Sequence, residues 1–549
     1  MNIDSISDLM RKYPKHRLVI ILVGIAFLSL IIAYCSYFTI NNTFPSKRAC
    51  LLLAFYLFVI PASVYLVIGS VLPKKLAELG IIKRAACILL CWLPFLIAVY
   101  PGNIWYHDTC FQVCQYYGNE MPNIFASLPG YSFTDHHPIL DTAIFGSFIQ
   151  FGNAVFSSPN LGFFLFVLMQ SVLTALVFSY GFQRCINRGV SNRIVAGLCL
   201  FVSLCPLFPF AVSSMAKDML NAPLVLLFCF CYADIAISKT ITKKQILALL
   251  AISILISLTK KTGFYLVLLA LVILLFKASK VARIPIIAVM TATLFVNSIF
   301  IPNVVYKIFD VSPGSAIEAF ALPIQQVSRA VIENPESITS EERNAIDALI
   351  GYDSIPSRYI PSTADGVKGI GSDPNVNYYP SSKEILDFTK AWLTVGLKSP
   401  SSYVKATLAV EAGWLTLNSQ PIWFQMLDED AFPIQPPNGA IIIQRPAVFQ
   451  GTSSLVANVW FTLGNMHLVG ILFQPFIYCV AIPFITLIVS IAKRRQILPL
   501  IPILLSIGLL FLSPVSTGNE TIRYALVLIY ASPLLIAYWF YKPSNNIGK

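Results

Sequence analysis

Long apolar runs, broken by short polar or basic segments, dominate the chain. A helix that crosses a bilayer needs roughly 20 apolar residues. Runs of that kind fall at 18–40, 49–72, 86–101, 161–183, 194–212, 219–237, 245–259, 262–276, 285–302, 466–492, 497–513 and 523–541. They predict an all-α polytopic membrane protein with about 12 transmembrane helices. Two longer segments interrupt the pattern. The first, 102–160, has room for short helices. The second, 303–465, is long enough for a small, mainly helical domain. It has helical patches at 322–333 and 383–398 and a stretch rich in Pro, Gly, Ser and Asp near 353–382. The expected organisation is an N-terminal transmembrane module over 1–303, a domain over 304–465 and C-terminal transmembrane helices over 466–549.

Composition agrees with this pattern. Of 549 residues, 56% are hydrophobic and 12% charged, against about 25% charged in soluble domains. Water cannot solvate so apolar a chain, so lipid must. The net charge of +12 sits in short clusters between apolar runs, a topological pattern that calls for no nucleic-acid partner. The 12 cysteines lie mostly inside those runs, as Cys87, Cys199, Cys229 and Cys479 do, where they act as small hydrophobes. Cys110 and Cys114 stand at helical i, i+4 spacing, which suits a disulfide poorly. The first run, 18–40, is too long for a signal-peptide core and reads as a retained span.

Lys and Arg set the expected orientation. The segments placed inside carry 22, the short segments placed outside carry 6, and the long loop 303–465 carries 10. Long loops cross regardless of charge, so the short segments decide. Both termini are expected in the cytoplasm. From Ala85 to Gln183 there is no Lys or Arg, which places loop 102–160, with Asp108, Glu120, Asp135 and Asp141, outside.

The polar residues of the external face then need explaining. After His107, Asp108, Gln112 and Gln115 recur at i, i+4 and i+7, one face of a short helix expected over 109–117. Asp108 also suits a helix N-cap. Asp135, His136 and His137 precede Pro138, which favours a helix start. Such a set can bind a metal, share a proton or hold a phosphate, or simply cap a solvated turn. Lys217-Asp218 and Lys260-Lys261 interrupt apolar runs on a side that disfavours Lys. Gln325, Gln326 and Arg329 open an amphipathic helix in the long loop. Arg523-Tyr524 opens the last span. A guanidinium there suits a phosphate clamp or a pair with Glu520. The chain has no P-loop and no HExxH motif.

This order of residues resembles the bacterial GT-C glycosyltransferases and a related group of bacterial membrane proteins. The resemblance rests on Asp108, Asp135-His136-His137-Pro138, Lys217-Asp218, Gln325-Gln326 with Arg329, and Arg523-Tyr524. It implies a GT-C-like fold and inverting sugar transfer from a polyprenyl-phosphate-linked donor to an extracytoplasmic glycan or lipid acceptor, such as O-antigen, lipopolysaccharide or another surface polysaccharide. Asp108 would be the general base, with Asp135 or a neighbouring His as its partner. Lys217, Arg329 and Arg523 would bind the donor phosphate. His107, Gln112, His136, His137, Asp218, Gln325, Gln326 and Lys260 would support the site. The family's acidic pair is often adjacent, whereas Asp135 comes well after Asp108. That leaves open a divalent cation, Mg or Mn, on Asp108, Asp135 and His136. Trp392, Trp414 and Trp423 suit sugar stacking or burial. Beyond substrates and membrane lipids, no protein partner is indicated. A lipid-linked glycan polymerase or ligase, and a transporter or flippase, are the competing readings. The lack of an internal repeat speaks against transport.

Overall fold

The computed structural model describes residues 15–69, 72–118, 131–238, 241–369, 374–417, 421–424, 426–427, 443–512 and 522–541. Its frame is helical. The chain opens with α1 (Lys15–Asn41), α2 (Lys47–Gly69), α3 (Ile81–Ala98) and α4 (Tyr106–Tyr116). It continues with α5 (Ile139–Phe156), α6 (Pro159–Asn187), α7 (Asn192–Leu204), α8 (Lys217–Ile237), α9 (Lys243–Thr259), α10 (Lys261–Lys277) and α11 (Lys280–Phe295). The last of these runs on as a π-helix over Val296–Val305. Within the described residues, the runs expected to span are mainly helical. Among the described residues, seven helical segments are long and apolar enough to cross a membrane: Leu22–Asn41, Ile81–Ala98, Ile139–Phe156, Pro159–Asn187, Lys217–Ile237, Lys280–Ile308 and Ile522–Trp539. The molecule is therefore an all-α membrane protein.

Two segments differ from expectation. Residues 139–156, placed in an external loop, form the continuous apolar helix α5 of 18 residues. Its two glycines, Gly146 and Gly152, are points of close packing. Gly152 and Gly162 let α5 and α6 touch backbone to backbone, and a Cβ on Gly162 would stand 2.2 Å from the Phe148 carbonyl oxygen. Ser158 then caps α6, accepting from the Leu161 amide, with Pro159 at the first turn. The second segment is 447–465, expected within the external domain. Its helix packs Val459, Trp460 and Leu463 into the same core as α2 and α3.

A second, smaller helical domain comprises α12 (Ala321–Glu333), α13 (Ser340–Ile350), α14 (Ser382–Lys398) and α15 (Pro400–Leu415). Helices expected at 322–333 and 383–398 stand within a residue of those bounds. Capping boxes start α13 (Thr339 with Glu342) and α14 (Ser381 with Glu384). Ile317, Ile324, Val327, Ile346, Leu349 and Phe388 form a separate hydrophobic core. After it come α16 (Ala447–Asn465), α17 (Ile482–Ala492), α18 (Ile501–Leu510) and α19 (Leu526–Trp539).

Two parallel strand pairs of two residues each set the functional face. β1 (Asn103–Ile104) pairs with β3 (Ser214–Met215), and β2 (Phe133–Thr134) with β4 (Val311–Ser312). The first pair leads into α4 and α8, so it brings Asp108 and Lys217 side by side. Gln170 of α6 locks β3 by donating to the carbonyls of Val212 (2.6 Å) and Ser214 (2.8 Å). The second pair ties the Asp135 turn to the segment that leads into the smaller domain. Arg445, almost fully buried, clamps the same region by donating to the Tyr100 carbonyl (2.9 Å) and Asn103 Oδ1 (2.9 Å).

Candidate functional site

Asp108 sits in the first turn of α4, one turn before Gln112 on the same face. It is not the N-cap, which is Trp105. Its carboxylate is ion-paired with the Arg523 guanidinium at the start of the last helical segment. Lys217 Nζ stands 3.2 Å from the same oxygen, and His137 Nδ1 4.0 Å. Lys217 Nζ also lies 2.8 Å from His137 Nδ1. An ammonium has only donors, so Nδ1 accepts and His137 keeps its proton on Nε2. Behind Lys217, Asp218 is paired with Lys260 Nζ at 2.5 Å and faces Arg523 Nε at 3.8 Å. Three cations thus share direct ion-pair contact with two carboxylates. Trp105 and Tyr524 wall the Arg523 guanidinium, each with its ring centre 5.1 Å away, and Lys260 lies 5.4 Å from the Tyr524 ring.

Burial dictates the protonation states. It pushes the Asp108 carboxyl up, but Arg523 and then Lys217 more than offset it and hold the group well below the usual carboxylate range. Burial, reinforced by Lys217, holds the His137 imidazole well below its ordinary value, so it is neutral. The site in this state is an ionised carboxylate surrounded by fixed positive charge, with Asp108 only 15% exposed.

The neighbouring residues make a second network. Asp135 pairs with Lys261 at 3.0 Å. Its backbone carbonyl also accepts from Lys261. Asp135 thus joins α10, not Asp108; of the partners expected beside Asp108, Asp135 or a neighbouring His, it is His137 that stands there. His136 Nδ1 lies 3.3 Å from the Tyr378 hydroxyl, which donates to Glu318 Oε1 at 2.9 Å. Lys368 holds the other Glu318 oxygen at 2.7 Å. Burial drives the His136 value down to about 3 against the opposing pull of Glu318. Glu318 itself stays low because Lys368 and His136 outweigh its burial.

Other expected residues have structural partners. Gln112 donates to Thr142 Oγ1 at 3.4 Å. Gln325 donates to the carbonyls of Ile360 (2.8 Å) and Thr363 (2.7 Å). Gln326 donates to Thr407 and accepts from Trp392 Nε1 at 2.8 Å. Arg329 pairs with Glu333 at 2.9 Å and donates to the Lys405 carbonyl. These three tie α12 to its own domain, so the expected phosphate role of Arg329 has no geometric basis. Trp414 is fully buried, and Trp423 packs against the membrane core. The side chain of His107, and the residues Glu120 and Glu520, lie outside the described part. Among the described residues no group of three or more His, Cys, Asp or Glu is placed to hold a metal ion, so Asp108, Asp135 and His136 do not form a ligand set. None of the 12 cysteines is in a disulfide.

Sequence reasoning passed over Asp141 as a site residue. It is fully buried in the first turn of α5, and neither carboxyl oxygen has a hydrogen-bond partner. A carboxylate inside an apolar run was the signal available. Trp105 and Tyr378 carried no comparable signal, since their partners lie far off in the chain.

The fold and this network define a polytopic helical membrane protein with a buried, charge-assisted site at the ends of its helices. The chain belongs to the family described as a family of unknown function (DUF6020), whose pattern matches residues 128–547. The match takes in the Asp135, Lys217, Lys260 and Arg523 segments and begins after Asp108. No curated protein and no solved structure matches the chain.

Proposed function

We propose that the chain is a membrane glycosyltransferase of GT-C type, moving a sugar from a polyprenyl-phosphate donor to an extracytoplasmic glycan or lipid acceptor. The observation that carries this reading is the Asp108 carboxylate held by Arg523 and Lys217 beside neutral His137. Such a site meets the two needs of the reaction. The leaving phosphate needs fixed cations, and the attacking hydroxyl needs a base.

In the free protein the cations quench the base, since an ion-paired carboxylate binds a proton weakly. A donor phosphate competes for Arg523 and Lys217. As they turn to it, Asp108 becomes more basic and accepts the proton of the acceptor hydroxyl as that oxygen attacks the anomeric carbon. The glycosidic C–O bond to phosphate breaks on the opposite face, which inverts the centre. The phosphate leaves with the bond's electron pair, and Arg523, Lys217 and Lys260 stabilise the charge. Asp218 positions Lys260. The basic segments and the absence of Lys and Arg from 85–183 support cytoplasmic termini and an external site.

The test is sugar transfer by purified protein in detergent, with radiolabelled polyprenyl-phosphate sugars and cell-envelope acceptors. Asp108→Asn is expected to lower turnover by about 10²–10⁴-fold while thermal unfolding shows an intact fold. Arg523→Lys keeps the charge but loses the planar fork that suits a phosphate, and is expected to raise the donor KM more than it lowers kcat. Equal turnover by parent and Asp108→Asn removes Asp108 as base. Transfer of only whole lipid-linked glycans favours a polymerase or ligase instead.

A further inference from the structure

Beside the ion network a cleft of about 390 Å³ opens between the start of α5, the α9–α10 turn and the π-helical end of α11. Its walls are mainly apolar, with Leu140, Ala143, Leu258 and Phe264 among them. The helices around its mouth turn bare apolar side chains outward, since Tyr265, Ile299 and Val304 are 56%, 52% and 40% exposed. Surface of that kind is stable against hydrocarbon, so the mouth faces lipid. Long π-helical segments are rare and concentrate at functional sites. This one contributes Asn297, which donates to Ser257 at 2.9 Å within the cleft lining.

The polar groups gather at one end. Asp135 and Lys261 line the cleft as an ion pair, and Lys261 is half exposed. Two adjacent lysines diverge here: Lys260 turns into the network against Asp218, and Lys261 turns toward the cleft. Likewise His137 faces the network while Pro138 lines the cleft. The two spaces therefore share a wall made of the 135–138 turn and the Lys260-Lys261 turn. Lys261 is balanced by Asp135, while the network behind the wall has three paired cations to two carboxylates. An amphiphile with an anionic head at that wall matches both sides.

We propose that this cleft holds the hydrocarbon chain of a single-chain lipid phosphate, its phosphate set at the Lys260-Lys261 turn and its head group directed toward Asp108. The inference rests on the glycosyltransferase reading and assigns the donor's route, from the membrane, sideways, into the site. The cleft volume lies toward the lower end of the roughly 300–1,000 Å³ typical of ligand pockets, which suits one chain better than two.

Photo-crosslinking of the purified full-length chain tests it. Three diazirine-tagged probes are compared: a polyprenyl monophosphate, the same polyprenol without phosphate, and phosphatidylglycerol. The polyprenyl phosphate is expected to label peptides covering 139–143 and 257–265, roughly tenfold more than either control. Ala143→Trp and Leu258→Trp fill the cleft from different helices. Each is expected to cut that labelling about tenfold with thermal unfolding unchanged, and if one fails to fold the other decides. Labelling that ignores both tryptophans, or that phosphatidylglycerol matches, overturns the proposal. Crosslinking needs no turnover. Cleft labelling without sugar transfer would therefore count against the transferase alone, and transfer without cleft labelling against the lipid site alone.

Discussion

His136 and Asp108 show how burial and partners divide the work among residues close together at the site. The neutral imidazole of His136 is stable in the fold because its surroundings exclude the charged form, down to about pH 3. In the unfolded chain the same ring takes a proton near pH 6.5. Between those values the unfolded state binds the extra proton, so stability falls as pH drops through that window and is full above it. Asp108 acts in the same direction at lower pH. Its depressed value stabilises the fold above the unfolded carboxylate pKa of about 3.9, and that contribution is lost as pH falls toward the folded value. His136→Gln keeps a donor for Tyr378 without titrating. It is expected to flatten the melting-temperature profile between pH 6.5 and 4 relative to the parent, an effect on the order of 3 kcal/mol. Parallel profiles for parent and variant would show that His136 titrates alike in both states. These protonation states were not legible in the sequence. Asp108 and Arg523 are 415 positions apart, and no local pattern links them.

At the scale of elements, α5 and α6 form the support on which the site turn rests. The 135–138 turn leads straight into α5, and α5 is held by the close crossing at Gly152 and Gly162. A side chain on Gly162 meets the Phe148 carbonyl and the Ile149 Cα at 2.2 and 2.9 Å, both backbone atoms that cannot rotate away. Gly162→Val is therefore expected to destabilise by about 2–3 kcal/mol or more, and to disturb His137 along with it. Gly508→Ala in α18 meets nothing within 4 Å and is expected to be neutral or slightly stabilising. Thermal unfolding of both in detergent is the check; equal melting temperatures would mean the two helices can part without cost. This pair also shows why α5 escaped the sequence. Asp141, Ser147, Gln150 and Asn153 dilute its hydropathy, and only the structure shows that its glycines are for backbone contact. The same holds for α16, where Gln450, Thr452, Ser453 and Asn458 hide a helix that packs on the membrane core. By contrast, the amphipathic periods of α12 and α14 are local, and both helices were legible to within a residue.

For the whole molecule, the distribution of basic groups gives the site a side. Arg523 opens the last helical segment within the ion network. At the other end of that segment Lys493 donates to the Trp539 carbonyl at 2.7 Å, and Arg495 reaches the Tyr538 and Tyr541 carbonyls. Ile522–Trp539 comprises 18 residues, a rise of about 27 Å, close to the roughly 30 Å hydrocarbon core. The basic 493–495 segment thus lies about a membrane's thickness from the site. Helices α3 and α6 repeat the arrangement. Near the site end the rings of Tyr100 and Phe164 meet at 5.2 Å. At the far end Arg84 donates to the Ser179 carbonyl at 3.1 Å, and Arg184 and Arg188 pair with Asp234. Basic groups collect on the cytoplasmic side, so the network and the smaller helical domain should face out. An impermeant thiol reagent applied to intact cells is expected to label Glu341→Cys, at the start of α13, above the background of the parent chain. Arg494→Cys should react only after the membrane is opened. The reverse pattern would turn the site toward the cytoplasm, where nucleotide-activated sugars are available. It would remove the reason for a lipid-linked donor, leaving the ion network as a site for a different phosphate.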